Sequence, residues 1–220
     1  MGSSLVKASN IHPDNKVVGF SGSPRKNGNS DVLLKEIMAG VLANDVPADG
    51  WNLTEFQFSG CIGCERCRKS KICTGMKDGM SLIYPELLSS KGLVLVSPTH
   101  NYNITAWMKA FIDRLYCFYQ FENDRPRSWS SQLSDQNRKA VVVAICEQAS
   151  VEDMGFTLEA MKRPLEALGY EIVGELTVFN VFDKGKVREK EQLMHEAHAL
   201  GQKLAGSLEE SQHGSPIPPH

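Results

Sequence analysis

The chain has 220 residues, 24 Lys and Arg against 26 Asp and Glu, a formal net charge of −2 and six cysteines. Near-balanced charge lacks the basic surplus that binds nucleic acid, and no apolar run is long enough to span a bilayer, so neither kind of partner is expected. The length suits one α/β domain with a large core, and a cytoplasmic setting, where thiols stay reduced, is the expectation.

Residues 1–15 are polar and are expected to form a loose arm, ahead of a domain over 16–207. Val17, Val18 and Phe20 make a short apolar run, the mark of a buried strand. Gly19, Ser21, Gly22, Ser23 and Pro24 then break any regular pattern, and from Leu33 to Leu42 the apolar residues return at helical spacing. A strand, a Gly/Ser loop and a helix N-terminus present unpaired N–H groups and a positive dipole end to an anion. Ser21, Ser23, Asn27, Asn29 and Ser30 add neutral hydrogen-bonding groups and Arg25 a fixed charge, so the expected ligand is a phosphate. A Walker loop does not fit, because five residues separate Gly22 from Gly28 and Asn29 stands in place of the lysine; a dinucleotide fingerprint lacks its third glycine. An ordinary turn capped by Ser30 or Asp31 is the alternative.

Residues 51–58 (WNLTEFQF) are a second strand candidate, and 59–75 form a loop dense in cysteine and basic residues. Asp78 is placed to cap a helix over about 79–90. Leu93–Val96 (LVLV) reads as a buried parallel strand that ends in the polar turn Ser97 to Asn103. Ile104, Trp107, Phe111, Ile112, Leu115 and Phe118 then recur at helical spacing, with Lys109, Asp113 and Arg114 expected in surface or helix-end pairs. Residues 120–137 are a polar stretch of a length that is uncommon in loops without function. Residues 140–145 (AVVVAI) are a fourth strand, ending at Cys146 and Glu147. A helix over about 153–168, kinked at Pro164, a fifth strand over 170–180 and an amphipathic helix over 187–207 follow, and 208–220 are expected to be disordered. His195 and His198 lack a third ligand and read as a solvated helix face.

This β-α alternation predicts a doubly wound, five-stranded parallel sheet with helices on both faces. A flavodoxin-like order, 2-1-3-4-5, sets the turns after strands one and three side by side at the carboxyl edge, where such folds bind ligands. A phosphate on the first turn and a flat ring beside turns three and four suit FMN. The residues offered to the ring are Pro98, Thr99, His100, Asn101, Tyr102, Asn103, Cys146 and Glu147. His100 could donate a proton to the ring, or could merely contact it from a turn.

Cys61-x2-Cys64-x2-Cys67-x5-Cys73 is the most specific signal. Four thiols within thirteen residues can wrap one compact centre, and four cysteines are the usual ligand set of an iron–sulfur cluster. The first two spacings match the bacterial ferredoxin run; the third is longer, and Thr74 replaces its proline. With no second run, the four suit one [4Fe–4S] centre. Zinc fits the even steps poorly, and cluster-free thiols are the other reading. Cys117 and Cys146 read as small buried side chains.

Together GSPRKNGNS, CIGCERCRKSKIC before KDGM, and SPTHNYNITAWMKAFIDR resemble the iron–sulfur flavoprotein family, within the NADPH-dependent FMN reductase-like, flavodoxin-fold group, over about 16–205. The resemblance implies FMN, a [4Fe–4S] cluster on Cys61, Cys64, Cys67 and Cys73, and homodimers or homotetramers. It places Ser23, Arg25, Asn29 and Ser30 at the phosphate and Pro98 to Asn103 at the ring, with His100 where many relatives have tyrosine. The function read from this is an FMN-dependent electron-transfer oxidoreductase relaying electrons between cluster and flavin, with ferredoxin or NAD(P)H as donor and a small molecule as acceptor. The alternatives are a cluster-free NAD(P)H-dependent flavin or quinone reductase and a redox sensor. Arg66, Arg68, Lys69 and Lys71, among the cysteines, either balance an anionic centre or form a docking patch for an acidic carrier.

Overall fold

The computed structural model describes residues 12–210, so residues 1–11 of the expected arm and 211–220 of the expected tail lie outside the described residues, whereas 208–210, expected in the disordered tail, continue the last helix because Leu208 is buried in the core. The main sheet has five parallel strands, β1 (Asp14–Ser21), β2 (Ala48–Asn52), β3 (Ser90–Pro98), β6 (Arg138–Ile145) and β7 (Tyr170–Val178), in the order β2-β1-β3-β6-β7. Counted within this sheet, that is the expected 2-1-3-4-5. Between β3 and β6 lies a small antiparallel hairpin of β4 (Tyr119–Phe121) and β5 (Trp129–Ser131). Among the described residues no helix is long and apolar enough to cross a membrane.

Alternation along the strands builds two cores. Val18, Phe20, Leu93, Leu95, Val142 and Ala144 face one side and are covered by α3 (Met80–Ser89), α4 (Ala106–Arg114) and α6 (Thr157–Leu168). Val17, Val94, Val96, Val141, Val143 and Ile145 face the other, under α1 (Asn29–Leu42) and α7 (Glu191–Glu210). These last two helices approach backbone to backbone. A Cβ on Gly40 would stand 2.0 Å from the His198 carbonyl oxygen, and one on Gly201 would stand 2.0 Å from that of Ile37. His198 Nδ1 also meets Glu36 Oε1 at 2.9 Å across this seam, so it does more than face solvent.

Several elements differ from the sequence expectation. The second strand ends at Asn52, and Leu53–Glu55 form a 3-10 turn, because Asn52 Oδ1 accepts from Thr54 N and turns Leu53 into the core. The helix expected over 153–168 is divided into α5 (Val151–Met154) and α6. The division falls at Gly155, in the left-handed region at φ 58°, while α6 runs through Pro164. The last helix begins at Glu191, after a 3-10 turn over Lys186–Glu189. Lys109 and Asp113 pair on the surface of α4, but Arg114 turns inward and is 2% exposed. The polar stretch after residue 120 closes as the β4–β5 hairpin, whose Tyr119 and Trp129 rings meet edge to face at 5.2 Å.

Candidate functional site

The site is built on β1. Its end feeds the turn 22–28, and its neighbour β3 ends in the turn 99–103, so both turns meet where the strand order reverses. Gly22 N donates to the Val96 carbonyl (2.9 Å), and Thr105 Oγ1, at the head of α4, donates to the Gly22 carbonyl (2.7 Å). Ser23 Oγ accepts from Arg25 N (3.1 Å). Asp31 receives Asn27 N at 2.7 Å and Asn52 Nδ2 at 2.8 Å, so its carboxylate serves the turn. Gly28 stands at the N-cap of α1 and provides no side-chain cap. The leading N–H groups of α1 thus keep their donors and the positive dipole end for an anion.

An open cleft of about 600 Å³ lies over this terminus. Ser23, Arg25, Asn29, Ser30, Pro98, Thr99, His100 and Glu147 of the expected set line it. Val181, Phe182 and Lys184 line it too and carried no sequence signal. The loop that bears them is tied down through its backbone. Arg25 Nη1 donates to the Phe182 carbonyl (3.1 Å) with its guanidinium 4.4 Å from that ring, and Asn29 Nδ2 donates to the Asp183 carbonyl (3.0 Å). Asn29 Oδ1 accepts from Val187 N (3.2 Å), so this carboxamide also positions the loop.

The remaining expected residues are not among those lining the cleft. Ser21 ends β1 in the core, and Cys146 is 3% exposed. Asn27 lies in the turn at φ 55°. Asn101 and Tyr102 are the centre of a tight turn closed by His100 N to the Asn103 carbonyl (2.8 Å), both at positive φ. For a tyrosine that backbone is strained by about 1–3 kcal/mol. It is held from behind, where Phe156 N donates to the Tyr102 carbonyl (2.8 Å) and a Cβ on Gly155 would come within 2.4 Å of the same oxygen.

The cysteine loop is a second centre. Cys61 and Cys64 are exposed, Cys67 and Cys73 half-buried, and all four are free thiols. Cys67 opens the short helix α2 (Cys67–Ser70). Burial pushes the Cys67 thiol up, and the neighbouring charges of Cys73 and Cys61 add to this. Burial likewise raises Cys117, beneath the loop, to about 12, leaving it an inert neutral thiol. Gly63 N donates to Cys61 Sγ (3.4 Å), and Arg114 Nη2 donates to Cys73 Sγ (3.5 Å). The β4–β5 hairpin braces this loop, not the cleft: Gln132 Nε2 donates to the Lys71 carbonyl (3.2 Å), and Arg127 pairs with Glu65 at 3.7 Å. Among the described residues, no three His, Cys, Asp or Glu side chains converge on a metal-sized centre. The two centres are joined by α4, which runs from Thr105 at the first turn to Arg114 at the loop, about 13 Å at the usual rise.

Residues 15–134, more than half of the chain, match the family described as NADPH-dependent FMN reductase, and residues 80–204 match the flavodoxin-like fold. The chain belongs to the NADPH-dependent FMN reductase family. This family member is 29% identical over 137 residues to an iron–sulfur flavoprotein of Methanocaldococcus jannaschii, with 62% of the chain and 66% of that protein covered. It is 28% identical over 194 residues to an iron–sulfur flavoprotein of Archaeoglobus fulgidus, with 88% and 80% covered. A solved flavone reductase superposes with a TM-score of 0.68 at 13% identity, over 92% of the chain and 66% of that structure, and shows the same fold. The NADPH-dependent FMN reductase family member thus falls in the flavin-dependent oxidoreductase class.

Proposed function

We propose that the cleft binds FMN, that Cys61, Cys64, Cys67 and Cys73 hold one [4Fe–4S] cluster, and that the protein passes electrons between them. The observation that carries the reading is the uncapped N-terminus of α1 at the sheet's switch point, a single-phosphate cradle without a dinucleotide fingerprint. The N–H groups of α1, Ser23 and Ser30 receive the phosphate, and Arg25 adds charge at the rim. Pro98 to His100, Glu147 and Phe182 border the space left for the ring. The loop fits a cluster by its donor set: four free thiols, and N–H donors already directed at Cys61 and Cys73. When bound, flavin and cluster supply exchange between two-electron and one-electron steps, while the chain supplies position and tuning.

Flavin released by heat is expected to be FMN by chromatography; recovery of FAD overturns the reading. Arg25→Glu is expected to weaken FMN binding at least about tenfold, because a charged hydrogen bond worth roughly 1.5–3 kcal/mol becomes a repulsion. Iron and acid-labile sulfide in protein reconstituted without air test the second centre, and stoichiometric zinc would count against it.

The family name points to NADPH as donor, and the loop's surface to an acidic one-electron carrier. Arg66 and Lys69 are exposed beside the thiols, whereas Arg68 is half-buried and pairs with Glu65 at 3.4 Å. Reduction by ferredoxin is expected to slow steeply with salt, and to slow further in Arg66→Glu/Lys69→Glu at unchanged flavin content. A stopped-flow rate indifferent to both changes leaves NADPH as the donor.

A further inference from the structure

The geometry points to Arg114 as a positioning residue of the cysteine centre, donating through Nη2 and Nε to sulfur. The inference deepens the cluster reading above and rests on it. Arg114 is 2% exposed at the end of α4. Nη1 donates to the Ser59 carbonyl (2.9 Å) and to Asp78 Oδ2 (2.7 Å). Nη2 donates to Asp78 Oδ1 (3.1 Å) and reaches Cys73 Sγ (3.5 Å). Nε is buried and has no partner.

Among the described residues two buried side-chain polar atoms lack a partner, Nε of Arg114 and Nε of Arg68. Both belong to arginines of the same small region: Arg68 follows Cys67 in α2, and Arg114 touches Cys73. Buried donors in native proteins are nearly always paired, since an orphaned one keeps the whole cost of its lost hydration. Nothing in the polypeptide supplies the missing acceptors. Thiolate and sulfide sulfurs would supply them, and the guanidinium plane favours this. Nε–H and one Nη2–H lie along the same edge of that plane, so an edge that meets Cys73 through Nη2 presents Nε–H beside it. Asp78 grips the opposite end and fixes the fork. Hydrogen bonds to the sulfurs and a nearby cation stabilise the more negative, reduced state of a cluster and raise its potential.

The test uses anaerobically reconstituted full-length protein. Arg114→Lys keeps the charge and removes the fork. It is expected to bind as much iron and sulfide as the wild type, with a cluster midpoint potential, followed by electron paramagnetic resonance, shifted to more negative values. Wild-type protein labelled with guanidino-¹⁵N arginine is expected to show a nitrogen hyperfine coupling to the reduced cluster, weakened in Arg114→Lys to the part that Arg68 contributes. A potential unchanged in Arg114→Lys overturns the inference, as does a wild-type cluster with no arginine coupling. A coupling of undiminished strength in Arg114→Lys belongs to Arg68 alone and also overturns it. If Arg114→Lys does not fold, labelled Arg68→Lys protein decides: a coupling that remains supports Arg114, and its absence overturns the inference. Wild-type protein that takes up no iron or sulfide removes the cluster reading itself and this inference with it, while leaving the FMN result standing.

Discussion

Replacing Asp78 with alanine is expected to lower the unfolding free energy by about 3–5 kcal/mol, because it leaves a buried guanidinium without its counter-charge. The Arg114 side chain is 1% exposed and that of Asp78 18%, and the carboxylate takes both Nη groups, at 2.7 and 3.1 Å. Water cannot take over a partner's role for so buried a group. The pair also sets a pH dependence. Burial alone would raise the Asp78 pKa, but the Arg114 hydrogen bond and charge, with the Ser59 and Met80 N–H groups, outweigh it and hold the carboxyl below its usual range. A depressed carboxylate pKa gives stability that is fully present above the unfolded value, near 3.9, and is lost as pH falls through the folded value. Urea unfolding of the wild type is therefore expected to weaken below about pH 4, and Asp78→Ala to lose that part of the slope. Equal midpoints for the two proteins at neutral pH would show that Arg114 finds another partner.

Arg138→Ala is expected to be destabilising on a similar scale, about 3–5 kcal/mol, for a different reason. This side chain is 1% exposed, and no carboxylate is among its partners. Nη1 donates to the carbonyls of Leu87 (2.7 Å) and Ser90 (2.6 Å), Nη2 to that of Leu88 (2.9 Å) and Nε to Gln136 Oε1 (2.8 Å). Three of these oxygens cluster at the C-terminal end of α3, where the helix dipole is negative and carbonyls lack intrahelical donors. Arg138 therefore closes α3 from the start of β6. Alanine strands the carbonyls and opens a void; lysine keeps the charge but not the planar fork, and is expected to recover part of the loss. Denaturant unfolding of both variants measures this, and an alanine variant within about 0.5 kcal/mol of the wild type would show that water caps α3 equally well.

Neither arginine was legible in the sequence: Arg114 reads as a partner in a surface or helix-end pair, and Arg138 carries no signal. Legibility followed the range over which each feature is determined. LVLV in β3 and VVVAI in β6 declare themselves because strands buried on both faces must be continuously apolar. β2 carries ADGWN, a poor strand sequence on its own, and is held as an edge strand by its register with Val17–Ser21. WNLTEFQF looked better locally and lost to that pairing. The first turn was readable because glycine, serine and a helix start are local events. Asn52 and Thr105, which fix the turn from other elements, were not. The Val181–Lys184 wall was hidden for a further reason: it is tied to Arg25 and Asn29 through the backbone carbonyls of Phe182 and Asp183, which every residue possesses.

The seam between α1 and α7 has a consequence for how the cleft keeps its dimensions. With Gly40 against the His198 carbonyl and Gly201 against that of Ile37, the separation of the two helices is set by backbone atoms in contact, not by side chains that can rotate away. A hard stop of this kind tolerates no adjustment in one direction. The anion end of α1 is therefore calibrated against a helix that contributes nothing to the walls of the cleft. A redesign meant to shift the proposed phosphate seat by a fraction of an ångström would begin at those two glycines, outside the lining of the cleft.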